Sequence, residues 1–149
     1  MEPLKHPDFM SLFQAWRQLP PGPMAELRRC ASPEALLSIP AFYRLCSGRS
    51  ASAWEKAAYQ RVVFCLPCVH HSDHAAGLGK ALTTSARKVS EKRLFQVLRS
   101  EPPNDMVQLR RIMQMVEPTV HWPTAATLFW YWNDRSKRDL LEDYFVNQP

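Results

Sequence analysis

Apolar residues return along this chain at helical rather than strand spacing. Phe9, Leu12, Phe13, Trp16 and Leu19 recur at i, i+3, i+4, i+7 and i+10, which predicts a helix that the PPGP run at 20–23 stops. Leu27 to Leu45 reads as short helical pieces punctuated by Ser32-Pro33 and Ile39-Pro40. Ser52-x-x-Glu55 has the form of a capping box, and Trp54, Ala58, Val62 and Cys65 then lie on one stripe. A breaker-rich loop covers about 67–77, and a second set of helices starts near Leu78. Leu94, Phe95 and Leu98 make one apolar face, with Lys92 and Arg99 on another. Asn104 or Asp105 caps the next helix, whose stripe is Met106, Leu109, Ile112, Met113 and Val116. Pro123 opens a helix with Ala125, Leu128, Phe129 and Trp132 inward, and the last helix carries Leu140, Leu141, Tyr144 and Phe145.

The pattern predicts an all-α protein of eight or nine helices in two small lobes, 1–76 and 77–149, meeting near residue 75–80. Composition agrees: Leu and Ala total 31 against 16 for Val, Ile and Thr, with four glycines among 149 residues. No apolar run reaches the ~20 residues that cross a bilayer. The opening MEPLKHPDFMSLFQ breaks its apolar residues with Lys, His and Asp, unlike a secretion signal. The four cysteines are therefore expected to be reduced thiols in a cytoplasmic protein.

Charge changes the picture, because it is uneven. Between Lys80 and Arg111 stand eight basic residues (Lys80, Arg87, Lys88, Lys92, Arg93, Arg99, Arg110, Arg111) and three acids (Glu91, Glu101, Asp105). That window carries the whole excess of +5, and the remainder balances at 11 against 11. Arg outnumbers Lys 13 to 6, which suits bidentate phosphate contacts. A solvated helix face is the plain alternative.

Other candidate chemistry is weaker. Cys65-x-x-Cys68 followed by His70, His71 and His74 supplies zinc-type ligands, but the spacing is compressed and no distant second pair completes a finger. Cys65 also shares the inward stripe of Trp54, where a thiol behaves as a small hydrophobe. Ser47, Ser72 and Ser90 sit near turns or caps, and no nucleophile elbow, metalloprotease motif or phosphate loop occurs. Arg135–Asp139 and Arg138–Glu142 are i, i+4 pairs on a solvated face. Trp16, Trp54 and Trp132 fall on buried stripes, and Trp130-Tyr131-Trp132 reads as core plus rim. These features predict a protein that is not an enzyme and needs no cofactor or metal.

Seven strings in order carry a family resemblance: Ile39-Pro-Ala-Phe-Tyr-Arg-Leu45, Val63-Phe-Cys-Leu66, Leu78-Gly-Lys-Ala-Leu82, Glu91-Lys-Arg-Leu-Phe-Gln-Val-Leu-Arg99, Asp105-Met-Val-Gln-Leu-Arg-Arg111, Trp122-Pro123 and Leu140-Leu-Glu-Asp143. From about Trp16 to Phe145 the chain resembles the small subunit (CasB family) of the type I-E CRISPR surveillance complex, Cascade. The resemblance implies a non-catalytic helical protein present as two head-to-tail copies beside the backbone subunits and the large subunit. Its basic surface would help hold target and displaced non-target DNA strands once guide RNA has paired. The implied contacts begin with Arg110 and Arg111, then Lys92, Arg93 and Arg99, and Lys80 and Arg87. Arg28, Arg29 and Arg44 match basic positions in the N-terminal lobe, as do Arg135 and Lys137 near the end. The competing expectation is a scaffold subunit whose basic face docks acidic partners without touching nucleic acid.

Overall fold

Asp8 starts the first helix: its carboxylate accepts from the Ser11 amide, and α1 (Phe9–Arg17) buries Phe9, Leu12, Phe13 and Trp16. The computed structural model describes residues 6–46 and 52–148, so Ser47 lies outside the described residues. The PPGP run ends α1 and also opens α2 (Pro21–Arg28), because proline's fixed φ and missing N–H suit the first helical position. A 3-10 turn over Glu34–Ser38 and α3 (Pro40–Leu45) are the short pieces expected from the proline spacing. α4 (Ala53–Cys65) carries the expected capping box, with Ser52 and Glu55 exchanging bonds. Its Ala58, Val62 and Cys65 are buried, but Trp54 is 48% exposed, contrary to expectation. Trp54 sits in the first turn, where its ring meets Trp130 in a T-shaped contact (5.5 Å) and Tyr131 at a tilt (6.1 Å).

The predicted loop contains order that no pattern announced. A 3-10 turn at Leu66–Cys68 leads into β1 (His70–His71), which pairs in parallel with β2 (Thr119–Val120). Two-residue strands are too short to show alternation, so only their tertiary pairing defines them.

The second half supplies α5 (Leu78–Thr84), α6 (Glu91–Arg99), α7 (Asn104–Val116), α8 (Trp122–Tyr131) and α9 (Asp134–Val146). Nine α-helices thus stand among the described residues. Two expected details change. Neither Asn104 nor Asp105 caps α7 through its side chain; Pro103 takes that position, and Asp105 is 1% exposed. There its carboxylate accepts from the Trp132 indole N–H (2.9 Å) and pairs with the Lys137 ammonium (3.0 Å). The inward face of α8 is Trp122, Ala125, Ala126, Phe129 and Trp130, while Leu128 is half-buried. Trp132 has left the helix as its left-handed C-cap (φ 30°), aimed at Asp105 rather than along the stripe. In α9, Leu140 and Tyr144 are buried but Phe145 is exposed.

One continuous apolar core runs through both halves of the chain. α1 and α4 pack on α8, and the Trp122 indole donates to the Phe9 carbonyl at 2.8 Å. Arg61 on α4 donates to the carbonyls of Phe129 (2.8 Å) and Trp130 (2.5 Å), closing the C-terminal end of α8. α5 lies so close to α9 that a Cβ at Gly79 would stand 2.6 Å from the Leu140 carbonyl oxygen and 2.7 Å from the Tyr144 nitrogen. Both are backbone atoms, so the helices would have to separate. Gly79→Ala is expected to lower stability by about 1–2 kcal/mol despite alanine's better helix propensity, read as a drop in urea midpoint at unchanged m.

Candidate nucleic-acid interface

Ser90 begins α6 by accepting from the Arg93 amide at 3.2 Å, which sets the phase of the helix. Leu94, Val97 and Leu98 then turn inward, and Lys92, Arg93 and Gln96 are left outside. α7 packs alongside with Met106, Leu109, Ile112 and Met113 inward, so Gln108 and Arg111 face the outer side of α6. Between the two helices lies a groove of about 310 Å³ lined by Ser90, Lys92, Arg93, Gln96, Val97, Gln108 and Arg111. No carboxylate among the described residues lines it.

Across α7 a second cleft of about 500 Å³ shares Arg111 with the first and adds Arg28 and Arg29 from the end of α2. The two grooves make one strip of five exposed cations: Lys92, Arg93, Arg111, Arg28 and Arg29. The ion pairs among the described residues, Lys137–Asp105 and His71–Asp73, use none of these five. The Arg28 guanidinium lies over the Trp16 ring at 5.6 Å, which holds it without neutralising it. Such a strip attracts polyanions, and its glutamine amides and serine hydroxyl add neutral donors for phosphate oxygens. Among the described residues it offers no exposed ring for bases: Phe64 lines the second cleft but is buried beneath Arg110, Trp16, Trp122 and Trp130 are buried, and Trp54 stands elsewhere.

The other expected contacts are dispersed. Arg99 is exposed at the end of α6, over Phe95. Lys80 is exposed on α5, Arg87 follows that helix, and Arg44 is exposed on α3. Arg135 lines a separate groove of about 620 Å³ between α8 and α9, beside Tyr131 and Asp139. The expected pairs Arg135–Asp139 and Arg138–Glu142 do not close among the described residues; all four side chains stand in solvent.

Two expected contacts turn inward instead. Lys137 is held by Asp105, with its ammonium over the Trp132 ring. Arg110 is 4% exposed, and its guanidinium donates to the carbonyls of Leu27 (2.9 Å), Arg28 (2.9 Å) and Cys30. The double-arginine site is therefore split, with Arg111 outside and Arg110 inside, because helical neighbours point about 100° apart.

Gln96 and Gln108 were not singled out from the sequence, though their spacing held the signal. Gln96 lies at i+4 from Lys92 and Gln108 at i−3 from Arg111, each on the cation's own face.

The cysteine–histidine run does not converge. Cys65 is buried with its thiol against the Met106 sulfur at 3.3 Å, and burial pushes both the Cys65 and Cys68 thiols up. His71 accepts from the Trp122 amide at 3.0 Å and meets Asp73 at 2.8 Å, while His70 and His74 stand in solvent. Among the described residues no three His, Cys, Asp or Glu side chains gather as a metal would require, and no helix is long and apolar enough to cross a membrane.

The family described as CRISPR-associated protein Cse2 matches residues 23–145. The CRISPR system Cascade subunit CasB of Escherichia coli (strain K12) is 39% identical over 153 residues, spanning 93% of each chain. A chain in the crystal structure of E. coli Cascade bound to a PAM-containing double-stranded DNA target superposes with a TM-score of 0.89. That match covers 96% of this chain and 97% of that one, at 39% identity.

Proposed function

The chain belongs to the Cse2 family of CRISPR-associated proteins, and on that premise we propose that it is a non-catalytic small subunit of a type I-E Cascade complex. Its task is to steady the R-loop by sequence-independent contacts to the phosphates of the target and displaced strands. Its protein partners are the backbone subunits, the large subunit and a second copy of itself, in the cytoplasm. The observation that carries this reading is the strip Lys92, Arg93, Arg111, Arg28 and Arg29, drawn from α6, α7 and α2 onto one surface without a neutralising carboxylate among them.

Exchange of a DNA duplex for an RNA–DNA duplex is nearly balanced, so a few phosphate contacts on a displaced strand bias it against re-annealing. Contacts of this kind read charge and leave sequence to the guide RNA. Arg99, Lys80, Arg87, Arg44 and Arg135 are candidates for further strand contacts or for neighbouring subunits, since they stand exposed away from the strip.

The test is fluorescence anisotropy of a labelled random single strand across a salt series. Five phosphate contacts give a log–log salt slope of about −3.5, equal for unrelated sequences. Absence of binding at low salt, with the same arginines needed for complex assembly, would overturn the strand-holding role in favour of a scaffold.

A further inference from the structure

We propose that Arg110 is a positioning residue: it does not touch nucleic acid but holds the end of α2 against α7, so that Arg28 and Arg29 stand beside Arg111. The inference rests on the strand-holding role proposed above and adds the device that assembles its site.

α2 is shallowly seated. Of its eight residues only Leu27 is buried; Met24 packs half-buried against the core and the helix touches α3, so its C-terminal end depends on polar contacts as well. Like any helix it ends in carbonyls without intrahelical partners. Arg110 supplies donors from 80 residues away. One guanidinium nitrogen donates to Leu27 and Arg28, each at 2.9 Å, and the other terminal nitrogen to Cys30. The same group lies over the Phe64 ring of α4 at 4.4 Å, so one side chain ties α7, α4 and the end of α2 together. A planar fork reaches separate carbonyls in a way a point-like ammonium does not. A cation at a helix C-terminus is also favoured by the helix dipole, which offsets part of the cost of burying it.

The consequence concerns the strip. Lys92, Arg93 and Arg111 belong to the packed pair α6 and α7, whereas Arg28 and Arg29 sit at the very end Arg110 grips. Without that grip, the two halves of the strip are no longer in register for one strand.

Arg110→Lys tests this while keeping the charge. Binding of a random single strand is expected to lose about 1.4 units of salt slope, the share of two phosphates, and to weaken about 25-fold at 0.1 M salt. Arg28→Ala with Arg29→Ala should give the same loss, and combining them with Arg110→Lys should add little. A wild-type slope in Arg110→Lys, or full additivity of the changes, would overturn the proposal.

A measurement on the unmutated chain guards against a variant that fails to fold. Phenylglyoxal followed by mass spectrometry should modify Arg28, Arg29 and Arg111 and spare Arg110; reaction of Arg110 at the rate of Arg111 would overturn the proposal. If the wild-type chain binds no DNA, the strand-holding role fails. The grip is then judged by this labelling and by whether amide exchange over residues 27–30 speeds up in Arg110→Lys.

Discussion

Reversing Lys92, Arg93 and Arg111 together (Lys92→Glu, Arg93→Glu, Arg111→Glu) is expected to weaken binding of a random single strand by at least about 100-fold at 0.1 M salt. The magnitude follows from counterion release. Each single-strand phosphate contact contributes about 0.7 to the salt slope, hence a factor of about 5 at 0.1 M, and three contacts multiply. The slope itself should flatten by about 2 units. Reversal also places carboxylates in a groove that has none, so the loss should exceed that of the matching alanine variant. All three side chains are exposed, and thermal stability should stay within a few degrees of wild type. Arg17→Glu, Lys56→Glu and Arg138→Glu together, all exposed outside the strip, are the control of equal net charge. If this control matched the triple variant, the strip would be no more than part of a general positive field.

The largest stability effect is expected at Asp105. Asp105→Ala removes the partner of Lys137 and of the Trp132 indole N–H in one change, from a position 1% exposed. Breaking a buried pair from one side costs about 3–5 kcal/mol. The Lys137 side chain is 18% exposed and reaches some water, so the lower end, about 3 kcal/mol, is the expected value. For a chain of this length that corresponds to a fall in melting temperature of roughly 6–12 °C. Asp105 also holds Trp132 in its left-handed turn between α8 and α9, so the loss should spread to the α8–α9 junction. Joining Asp105→Asn with Lys137→Met should recover much of the loss, because a neutral replacement of both partners removes the unpaired charge while the Asn carbonyl still accepts from the Trp132 indole N–H. Failure of the double variant to recover stability would mean that the ion pair itself, not the indole bond that Asn preserves, carries the stabilisation.

Arg110 and Trp132 show where sequence reasoning reached the fold and where it stopped. Met106, Leu109 and Met113 mark the inner face of α7, and Arg110 lies at i+4 from the first and i−3 from the last. Periodicity therefore placed Arg110 on the core side, against the pull of its neighbour Arg111. Charge outweighed phase in the reading, because a buried arginine is the exception unless something satisfies it. What satisfies it is the end of α2, 80 residues earlier, and no local pattern records that meeting. Trp132 differs in another way: it packs half-buried against the core as its spacing implied, but the helix ends at Tyr131 and the indole turns to Asp105 instead of continuing the α8 stripe. Trp54 kept its helical phase and lost its burial, since phase says which side a residue faces and not whether a neighbour covers it.

By itself the sequence determined the helical class, the proline-set helix starts, the capping box at Ser52 and the concentration of charge between Lys80 and Arg111. Each of these is local, written in spacings of three or four residues or in composition. Only the tertiary structure decided which cations share a surface. It drew Arg28 and Arg29 across the chain to Arg111, turned Arg110 and Lys137 inward and left Arg44, Arg87 and Arg135 elsewhere. The physical reason is that a charge is useful to a strand only through its position in space. That position is set by long-range packing and by the few buried polar groups that must find partners wherever the fold supplies them.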